Sequence, residues 1–230
     1  MERLIKIGKI KPRKASEIKN SRIGIGFEKL DRKVFNPEKA YDKLAMIGAK
    51  WVRIQSGWER TEQEKGVYDF EWLDSIVDNL LERGLVPWIN LAYGNGLYDD
   101  DAAKVFGAVG CPPVKSEEAK KGWADYITAL AAHMKGRISY YEVWNEPDGE
   151  WCWKHGPNGK EYGQFVVDTS VALKKGDSSA KVIGGAICMA KPLDFAYDAF
   201  SVGMGEHIDA ISFHEYVIDE TVVFRHVKAL

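Results

Sequence analysis

Residues 139–148 read Ser-Tyr-Tyr-Glu-Val-Trp-Asn-Glu-Pro-Asp, an aromatic and β-branched run that ends in an amide, a carboxylate and a proline. Near-continuous apolar runs of this kind are typical of strands buried on both faces, as in a parallel sheet. The proline at 147 stops the strand and favours an extended backbone at Glu146. The sequence therefore predicts a buried strand over 139–145 that presents the Glu146 carboxyl group at its end.

Five further runs of the same kind occur along the chain, and helical segments separate them. Apolar residues recur at intervals of three and four over 72–81 and again over 123–134, which predicts amphipathic helices. Six β-α units in strict alternation are typical of either an eight-unit barrel or an open doubly wound sheet. The predicted strands are 23–27, 51–55, 86–92, 139–145, 182–188 and 209–216.

The ends of the predicted strands decide between these two folds. An open nucleotide-binding sheet should carry a glycine-rich turn after its first strand, but the chain contains neither GxGxxG nor GxxxxGKS/T. A barrel instead collects polar residues at the carboxyl ends of several strands. Four strands end in this way, with Arg53 and Gln55, Asn90 and Asn95, Asn145 and Glu146, and His214 and Tyr216. We therefore predict an α/β fold, a TIM (β/α)8 barrel with about six of its eight β-α units in this chain.

The spacing of the strands bears on the domain organisation. Eight β-α units at the average spacing of these six would need roughly 300 residues, more than the 230 of the chain. We therefore expect strands seven and eight to lie outside it, with a further segment or chain completing the barrel. Residues 1–22 carry eight Lys or Arg against two Glu and are predicted to be a basic leader segment. It is interpreted as a solvated leader or edge strand, with a basic interaction tail as the alternative. Residues 23–230 are predicted to be the partial barrel, units 1–6.

Composition excludes several classes of protein. The 32 basic and 34 acidic residues leave a formal net charge of −2, which argues against nucleic acid or an anionic membrane as a partner. Apolar runs of a few residues are far shorter than the roughly 20 that span a membrane. The three cysteines and five histidines show no disulfide framework and no metal-ligand spacing, so we predict no metal and no cofactor. No signal-peptide core is visible, so the localisation is unknown and cytoplasmic by default.

The chemistry is concentrated at the end of the fourth strand. A carboxyl group at the sheet rim, partly desolvated by Trp144 and its neighbours, should have a raised pKa and stay protonated near neutral pH. A protonated carboxyl group of this kind can act as a general acid toward a leaving oxygen. The amide of Asn145 beside it offers a donor and an acceptor to a sugar hydroxyl. Glu146 is therefore the candidate catalytic residue.

At these residues the chain resembles the retaining glycoside hydrolases of clan A, whose barrel ends its fourth strand in Trp-Asn-Glu-Pro. The strand that carries the motif is also the fourth in our count. Within the clan the chain is most similar to glycoside hydrolase family 39 and its relatives, over about residues 23–220. Three further segments carry the likeness: WVRIQSGW at 51–58, EKGVYDFEW at 64–72 and ISFHEY at 211–216.

The resemblance implies roles for several residues around the barrel mouth. Glu146 would be the general acid/base, and Asn145 would bind the sugar 2-hydroxyl. Arg53 would lie beneath the nucleophile as its charge partner, with pairing to a strand carboxylate inside the barrel as the alternative. His214 and Tyr216 share one strand face by alternation and resemble the inward-pointing pair of the clan. A satisfied core histidine is the alternative interpretation of His214.

Four other residues are predicted to line the same mouth. Asn95 follows the third strand. Trp151 and Trp153 lie on a loop rich in glycine and lysine just after Glu146, and Trp58 follows the second strand. Exposed tryptophans beside a sugar site stack on the apolar faces of pyranose rings, whereas ordinary loop packing is the alternative.

The nucleophile is the missing part of the predicted site. A retaining glycosidase needs two carboxylates about 5–5.5 Å apart, and the second in this clan is a Glu that ends strand seven. The sixth strand of this chain ends near Tyr216. Glu215 should point away from the interior if His214 points inward, and Glu142 is better explained as structural. The resemblance therefore implies a nucleophile outside these 230 residues, so that the chain alone would be inactive.

Three functional hypotheses follow. The first is a retaining glycosidase that cleaves O-glycosidic bonds of an oligosaccharide, a polysaccharide or another glycoside. The second is a non-catalytic carbohydrate-binding or assembly protein on a degenerate or truncated barrel. The third is an open α/β sheet that binds a different small ligand. The sugar, its linkage and the choice between exo and endo action stay open.

Overall fold

Six parallel strands form one sheet in which each strand lies beside the next one along the chain. The computed structural model describes residues 7–9, 11–188, 193–216 and 219–229. Helices connect the strands, so the predicted α/β fold with six β-α units of a TIM barrel is confirmed. The strands are β1 (Gly24–Gly26), β2 (Trp51–Gln55), β3 (Val86–Leu91), β4 (Tyr140–Val143), β5 (Lys181–Ile187) and β6 (Ala210–Phe213).

The helices of the described residues comprise seven α-helices and five short 3-10 turns. The α-helices are α1 (Tyr41–Met46), α2 (Trp58–Thr61), α3 (Glu71–Glu82), α4 (Glu117–Met134), α5 (Gly159–Gly176), α6 (Leu193–Ser201) and α7 (Glu220–Ala229). The 3-10 turns are Ala15–Glu17, Pro37–Lys39, Ala102–Lys104, Phe106–Ala108 and Met204–Glu206.

The two longest helices begin at side-chain caps. Ser116 and Asn158 precede α4 and α5, and their side chains accept hydrogen bonds from the backbone N–H groups of Ala119 and Glu161. These caps satisfy donors that the first helical turn leaves free. Each helix turns an apolar stripe to the sheet, which for α3 consists of Leu73, Ile76, Val77 and Leu80.

A row of polar side chains crosses the sheet near its carboxyl end. In the parallel register Gln55 of β2 is aligned with Asn90 of β3, and Asn90 is aligned with Glu142 of β4. All three side chains are buried, in a sheet that is otherwise strongly apolar. Buried polar groups are costly unless they are hydrogen-bonded, so such a row needs partners on the adjacent strands. This row lies beneath the candidate site.

The described part of the basic segment 1–22 packs against the opposite end of the sheet. Ala15 is fully buried, and the Lys50 ammonium donates to the carbonyl groups of Ala15 and Gly84 at 3.1 and 2.5 Å. The Trp51 indole N–H, at the start of β2, donates to the Ser21 carbonyl at 2.9 Å. Part of this segment is therefore attached to the barrel, while the predicted domain boundary at residue 22 stays a prediction.

Within the described ranges, no helix combines the length and the apolar character that a bilayer crossing requires.

Candidate active site

Glu146 lies just beyond the end of β4, on a backbone that turns sharply. Its φ angle is 47°, in the left-handed region, whereas the following Pro147 predicts an extended backbone. The difference has a visible cause, because the Glu146 N–H donates to the carbonyl of Ala186 on β5 at 2.8 Å. The turn fixes the side chain at the rim of the sheet, where 17% of it is exposed.

Both carboxylate oxygens of Glu146 have partners. His214 Nδ1, just past the end of β6, lies 2.9 Å from Oε1. The Trp151 indole N–H donates to Oε2 at 2.5 Å. The carboxylate is thus held from one side by a residue that follows β6 and from the other by the loop that follows β4. Both contacts are to groups that can stabilise its negative charge.

These contacts set the direction of the Glu146 pKa. The hydrogen bond from His214 lowers the pKa of the carboxyl group most, burial opposes this, and the hydrogen bond from Trp151 lowers it further. The raised pKa expected from desolvation by Trp144 is therefore not found. Trp144 is fully buried, and its indole N–H donates to the Cys152 carbonyl at 2.7 Å. The ionised form of Glu146 is favoured in this arrangement.

Arg53, at the centre of β2, contacts three side chains at once. Its Nε donates to Glu142 and its Nη1 to Glu28, each at 2.5 Å, and its Nη2 donates to Asn145 Oδ1 at 3.0 Å. Burial tends to lower the pKa of this guanidinium, but the charges of Glu142 and Glu28 outweigh it and raise the pKa. The pairing with a strand carboxylate that the sequence offered as the alternative is therefore observed, and the guanidinium also contacts the Asn145 amide.

Glu142 belongs to the structural part of the site. One of its oxygens accepts from Arg53, and the other accepts from the Ser212 hydroxyl of β6 at 2.7 Å. Asn90 of β3 adds a contact at 3.3 Å. A buried carboxylate with this many partners connects β2, β3, β4 and β6 through the interior. The prediction that Glu142 is structural agrees with this geometry.

Asn145 has an amide that is fixed at both ends. Its Oδ1 accepts from Arg53, and its Nδ2 donates to the Cys152 thiol sulfur at 3.4 Å. The contact with the guanidinium fixes the assignment of the amide oxygen, so the orientation of the group is defined. Asn145 is half-buried, which leaves part of it accessible at the rim.

Three predicted mouth residues lie elsewhere, and their assignment is corrected here. Asn95 is 2% exposed, and its amide group bonds the Glu62 carbonyl and the Leu97 N–H. Trp58 is fully buried, with its indole N–H on the Glu62 carboxylate. Trp153 is also fully buried, among other aromatic rings. Packing rather than sugar stacking, the alternative interpretation, describes both tryptophans, Trp153 on its loop and Trp58 at the start of α2.

The expected pairing of His214 and Tyr216 on one inward face is not observed. β6 ends at Phe213, so strand alternation does not extend to these residues. His214 reaches Glu146, whereas Tyr216 is 89% exposed. Trp151 is 53% exposed and lies beside Glu146, so it is accessible as the sequence predicts for a stacking residue. The structure thus brings Glu146, Asn145, Arg53, His214 and Trp151 together.

Sequence reasoning missed three residues of this cluster. Glu28 follows β1 and bonds Arg53, and its position after the first strand was the available signal. Ser212 faces Glu142 from β6 and would have required the strand register to be known. Cys152 contacts Asn145 from the loop that follows Glu146, and no sequence signal pointed to it.

Within the described part of the chain, no three or more His, Cys, Asp or Glu side chains are grouped in a way that could hold a metal ion.

The chain is similar to known glycoside hydrolases. The sequence profile of Glycosyl hydrolases family 39 matches residues 35–226. The chain is 30% identical over 191 residues to a β-xylosidase of Caldicellulosiruptor saccharolyticus, covering 75% of this chain and 38% of that protein. It is 29% identical over 163 residues to a β-xylosidase of Geobacillus stearothermophilus, covering 66% and 31%. The chain therefore spans less than two fifths of the length of these curated relatives.

A solved structure shows the same fold. The family 39 β-xylosidase of Caulobacter crescentus superposes with a TM-score of 0.73 at 21% identity, covering 97% of this chain and 52% of that one. The six-stranded half-barrel therefore corresponds to part of a TIM barrel.

Proposed function

This chain belongs to glycosyl hydrolase family 39, and on that premise we propose that Glu146 is the general acid/base of a retaining glycosidase. The substrate is a carbohydrate with an O-glycosidic bond. Asn145 binds the sugar hydroxyl next to the reacting carbon, and Arg53 orients Asn145. A carbohydrate-binding protein without catalysis is the second hypothesis, and family membership does not favour it.

One observation carries this proposal. The Glu146 carboxylate is partly exposed at the carboxyl end of the sheet, and Asn145, beside it, has an amide oriented by Arg53. The amide can hold a sugar ring, and the adjacent carboxylic acid can then transfer a proton to the leaving oxygen of that sugar. Chemistry in barrels of this kind takes place at this end of the sheet.

The reaction has two steps with balanced proton transfer. In the first, a nucleophilic carboxylate attacks the anomeric carbon, the bond to the leaving oxygen breaks, and Glu146 gives that oxygen its proton. In the second, water attacks the anomeric carbon, Glu146 takes a proton from the water, and the nucleophilic carboxylate is released. The sugar leaves with its original anomeric configuration.

The contacts of Glu146 suit the second step directly. His214 and Trp151 stabilise the carboxylate, which is the form that must accept a proton from water. For the first step Glu146 must be protonated. A second ionised carboxylate about 5–5.5 Å away would raise its pKa by like-charge repulsion, and esterification of that group would remove the repulsion. The acid and base roles then alternate with the charge of the nucleophile.

The proposal assigns the nucleophile to a glutamate outside these 230 residues, at the end of a seventh strand. Glu142 is occupied by Arg53 and Ser212 in the interior. Glu215 follows His214, which already faces the acid. Since the chain spans 38% of one curated relative and 31% of the other, the activity is proposed for the complete natural protein.

The aryl β-xyloside is the first substrate to test, because the two curated relatives are named β-xylosidases. Trp151 is the described tryptophan placed to stack on the substrate. Other aryl β-glycosides belong in the same test.

The test is the Glu146→Ala variant of the complete natural protein, assayed with two leaving groups. With a poor phenol leaving group, loss of the general acid should lower kcat/KM roughly 100- to 10,000-fold. A dinitrophenyl leaving group needs no proton, so the first step should survive and the second should become limiting. Added azide should then restore turnover and yield the glycosyl azide with retained configuration.

Glu82→Ala serves as the control, since Glu82 ends α3 away from the mouth. It should behave as the wild type with both substrates. Wild-type turnover of the poor substrate by Glu146→Ala, or the absence of azide rescue, would remove Glu146 from the acid/base role.

A further inference from the structure

A groove of about 780 Å³ lies beside Trp151, the residue whose indole N–H bonds Glu146. Its walls are the loop 148–151, the start of α5 at 157–160, and the α6 residues Asp194, Phe195 and Asp198. Pockets of about 300–1,000 Å³ are typical for ligands of several rings, so the groove has room for more than one sugar ring.

Trp151 connects this groove to the chemistry. Its indole N–H donates to Glu146 Oε2, and the same residue lines the groove. A leaving group that receives its proton from Glu146 must begin at this carboxyl group. The groove therefore starts at the position where the leaving group begins.

The reacting sugar belongs on the other side of Glu146. Asn145 is oriented toward Arg53 on β2, and Arg53 also bonds Glu28 after β1. The groove instead lies beside α5 and α6, which flank β5 in the chain. The strands lie side by side in sequence order, so β1 and β2 are on one side of β4 and β5 is on the other. The groove is thus on the leaving-group side.

The described lining of the groove is apolar in part and strongly acidic. The half-exposed Trp151 ring and Phe195 offer flat apolar surfaces on which a pyranose can stack. The charged lining residues are four carboxylates and one ammonium group, those of Asp148, Glu150, Asp194, Asp198 and Lys160.

We propose that this groove is the leaving-group subsite, and that it accepts uncharged saccharides of more than one ring and discriminates against leaving groups that carry a carboxylate. The inference rests on the proposed glycosidase function and deepens it by naming the substrate class.

The discrimination follows from the electrostatics of the lining. The described lining carries four carboxylates against one ammonium group, which leaves an excess of negative charge in the groove. Two like charges about 6 Å apart in water repel enough to reduce binding about threefold. Several such carboxylates should together disfavour an anionic leaving group about tenfold at low ionic strength, and salt should weaken this effect.

The test compares two aryl glycosides that share the sugar accepted by the natural protein. One carries a 4-carboxyphenyl and the other a 4-carbamoylphenyl leaving group, which have similar shape and differ in charge. The measured quantity is the ratio of their kcat/KM values, anionic over neutral, so that a general loss of activity cancels. The ratio is determined for the wild type, for the Asp194→Asn, Asp198→Asn double variant, and for Glu82→Gln as the charge control.

We expect the ratio to rise at least threefold in the double variant and, for the wild type, to rise in 0.5 M salt. Glu82→Gln should leave it unchanged. An equal ratio in the wild type and the double variant, with the neutral substrate still cleaved, would overturn the inference and leave the glycosidase assignment intact. Absence of cleavage of every aryl glycoside would contradict the proposed function itself.

A separate experiment measures how many sugar rings the groove holds. For the natural protein, kcat/KM should increase from a disaccharide to a trisaccharide of the same sugar, as a second ring enters the groove. Trp151→Ala should abolish this increase. The same kcat/KM for the two saccharides in the wild type would contradict a subsite for more than one ring.

Discussion

The Trp151 indole N–H donates to Glu146 Oε2 at 2.5 Å, from a ring that is 53% exposed. The other carboxylate oxygen contacts His214, which lies on a different part of the chain. Each oxygen of the proposed acid/base therefore already accepts one hydrogen bond, and substrate competes with these two partners. Trp151 is the more exposed of the two partners and lies on a loop, so we expect its contact to be the one exchanged when substrate binds.

Replacing Trp151 with Phe should move the pH dependence of the reaction. The hydrogen bond stabilises the Glu146 carboxylate, so its removal should raise the pKa of that group. The alkaline limb of kcat/KM reports an acid that must be protonated in the free enzyme. This limb should therefore shift to higher pH in Trp151→Phe, as a pH–rate profile of the natural protein would show.

Trp51→Phe is the matched control for this experiment. The Trp51 indole is also a hydrogen-bond donor, but it bonds the Ser21 carbonyl at the start of β2. Its removal should leave the alkaline limb where it is. A shift of the limb to lower pH in Trp151→Phe would show that Trp151 does not stabilise the carboxylate.

Arg53→Met should destabilise the protein strongly. The substitution leaves Glu142, which is 3% exposed, without its cation inside the sheet. Breaking a buried ion pair from one side costs about 3–5 kcal/mol in the free energy of unfolding. Urea denaturation of the natural protein measures this loss.

A double variant tests whether Arg53 and Glu142 stabilise the protein as a pair. Removing both charges in Arg53→Met, Glu142→Gln should cost less than the sum of the two single changes. Lys121→Met is the surface comparison, since Lys121 and Asp125 form an exposed ion pair on α4 and its loss should cost less than about 1 kcal/mol. Additive costs for Arg53 and Glu142 would contradict the buried network.

Much of this site could be predicted from local sequence. The run that ends in Trp144, Asn145 and Glu146 identifies the strand and places the candidate acid/base at its end, because strand burial and the proline break are local properties. Arg53 could be predicted as a buried charge for the same reason. Its pairing with a strand carboxylate is one of the predicted alternatives and is observed with Glu142. Its contact with Glu28, which follows β1, could not be predicted, since only the sheet register brings β1 beside β2.

The tryptophans show where local sequence becomes insufficient. Trp58, Trp151 and Trp153 all follow predicted strands and look alike as loop residues. The structure buries Trp58 and Trp153 in aromatic clusters and leaves Trp151 half exposed. Whether a tryptophan is buried or exposed depends on which helices pack over its part of the chain. Similarly, the end of β6 at Phe213 decides that His214 and Tyr216 do not share a face.

Cys152→Ala should weaken use of the sugar 2-hydroxyl. The Cys152 sulfur accepts from Asn145 Nδ2, and without it the amide loses one of its two anchors. Loss of a hydrogen bond of ordinary strength lowers a binding or rate constant about two- to tenfold. We therefore expect kcat/KM to fall by the same factor. The deficit should vanish with a 2-deoxy glycoside, which lacks the hydroxyl that we propose Asn145 binds.

Cys111→Ala controls for loss of a buried thiol, since Cys111 is 1% exposed and its sulfur lies near the Val109 carbonyl rather than the site. In Cys111→Ala the ratio of kcat/KM values for the 2-hydroxy and 2-deoxy glycosides should equal that of the wild type. If Cys152→Ala lowered activity equally on the deoxy substrate, its effect would be a general loss of structure, not of amide orientation.

Gly149→Ala should disturb the acid through Trp151 without touching it directly. A Cβ atom at residue 149 would lie 2.4 Å from the Trp151 ring carbons Cε2 and Cζ2, closer than real contacts allow, so the indole must move. The hydrogen bond to Glu146 depends on the present indole position. We therefore expect Gly149→Ala to shift the alkaline limb of kcat/KM to higher pH, as Trp151→Phe does. In a Trp151→Ala background there is no ring to displace, and adding Gly149→Ala should leave the profile unchanged. A further shift in that background would mean that Gly149 acts on Glu146 through the backbone of the loop.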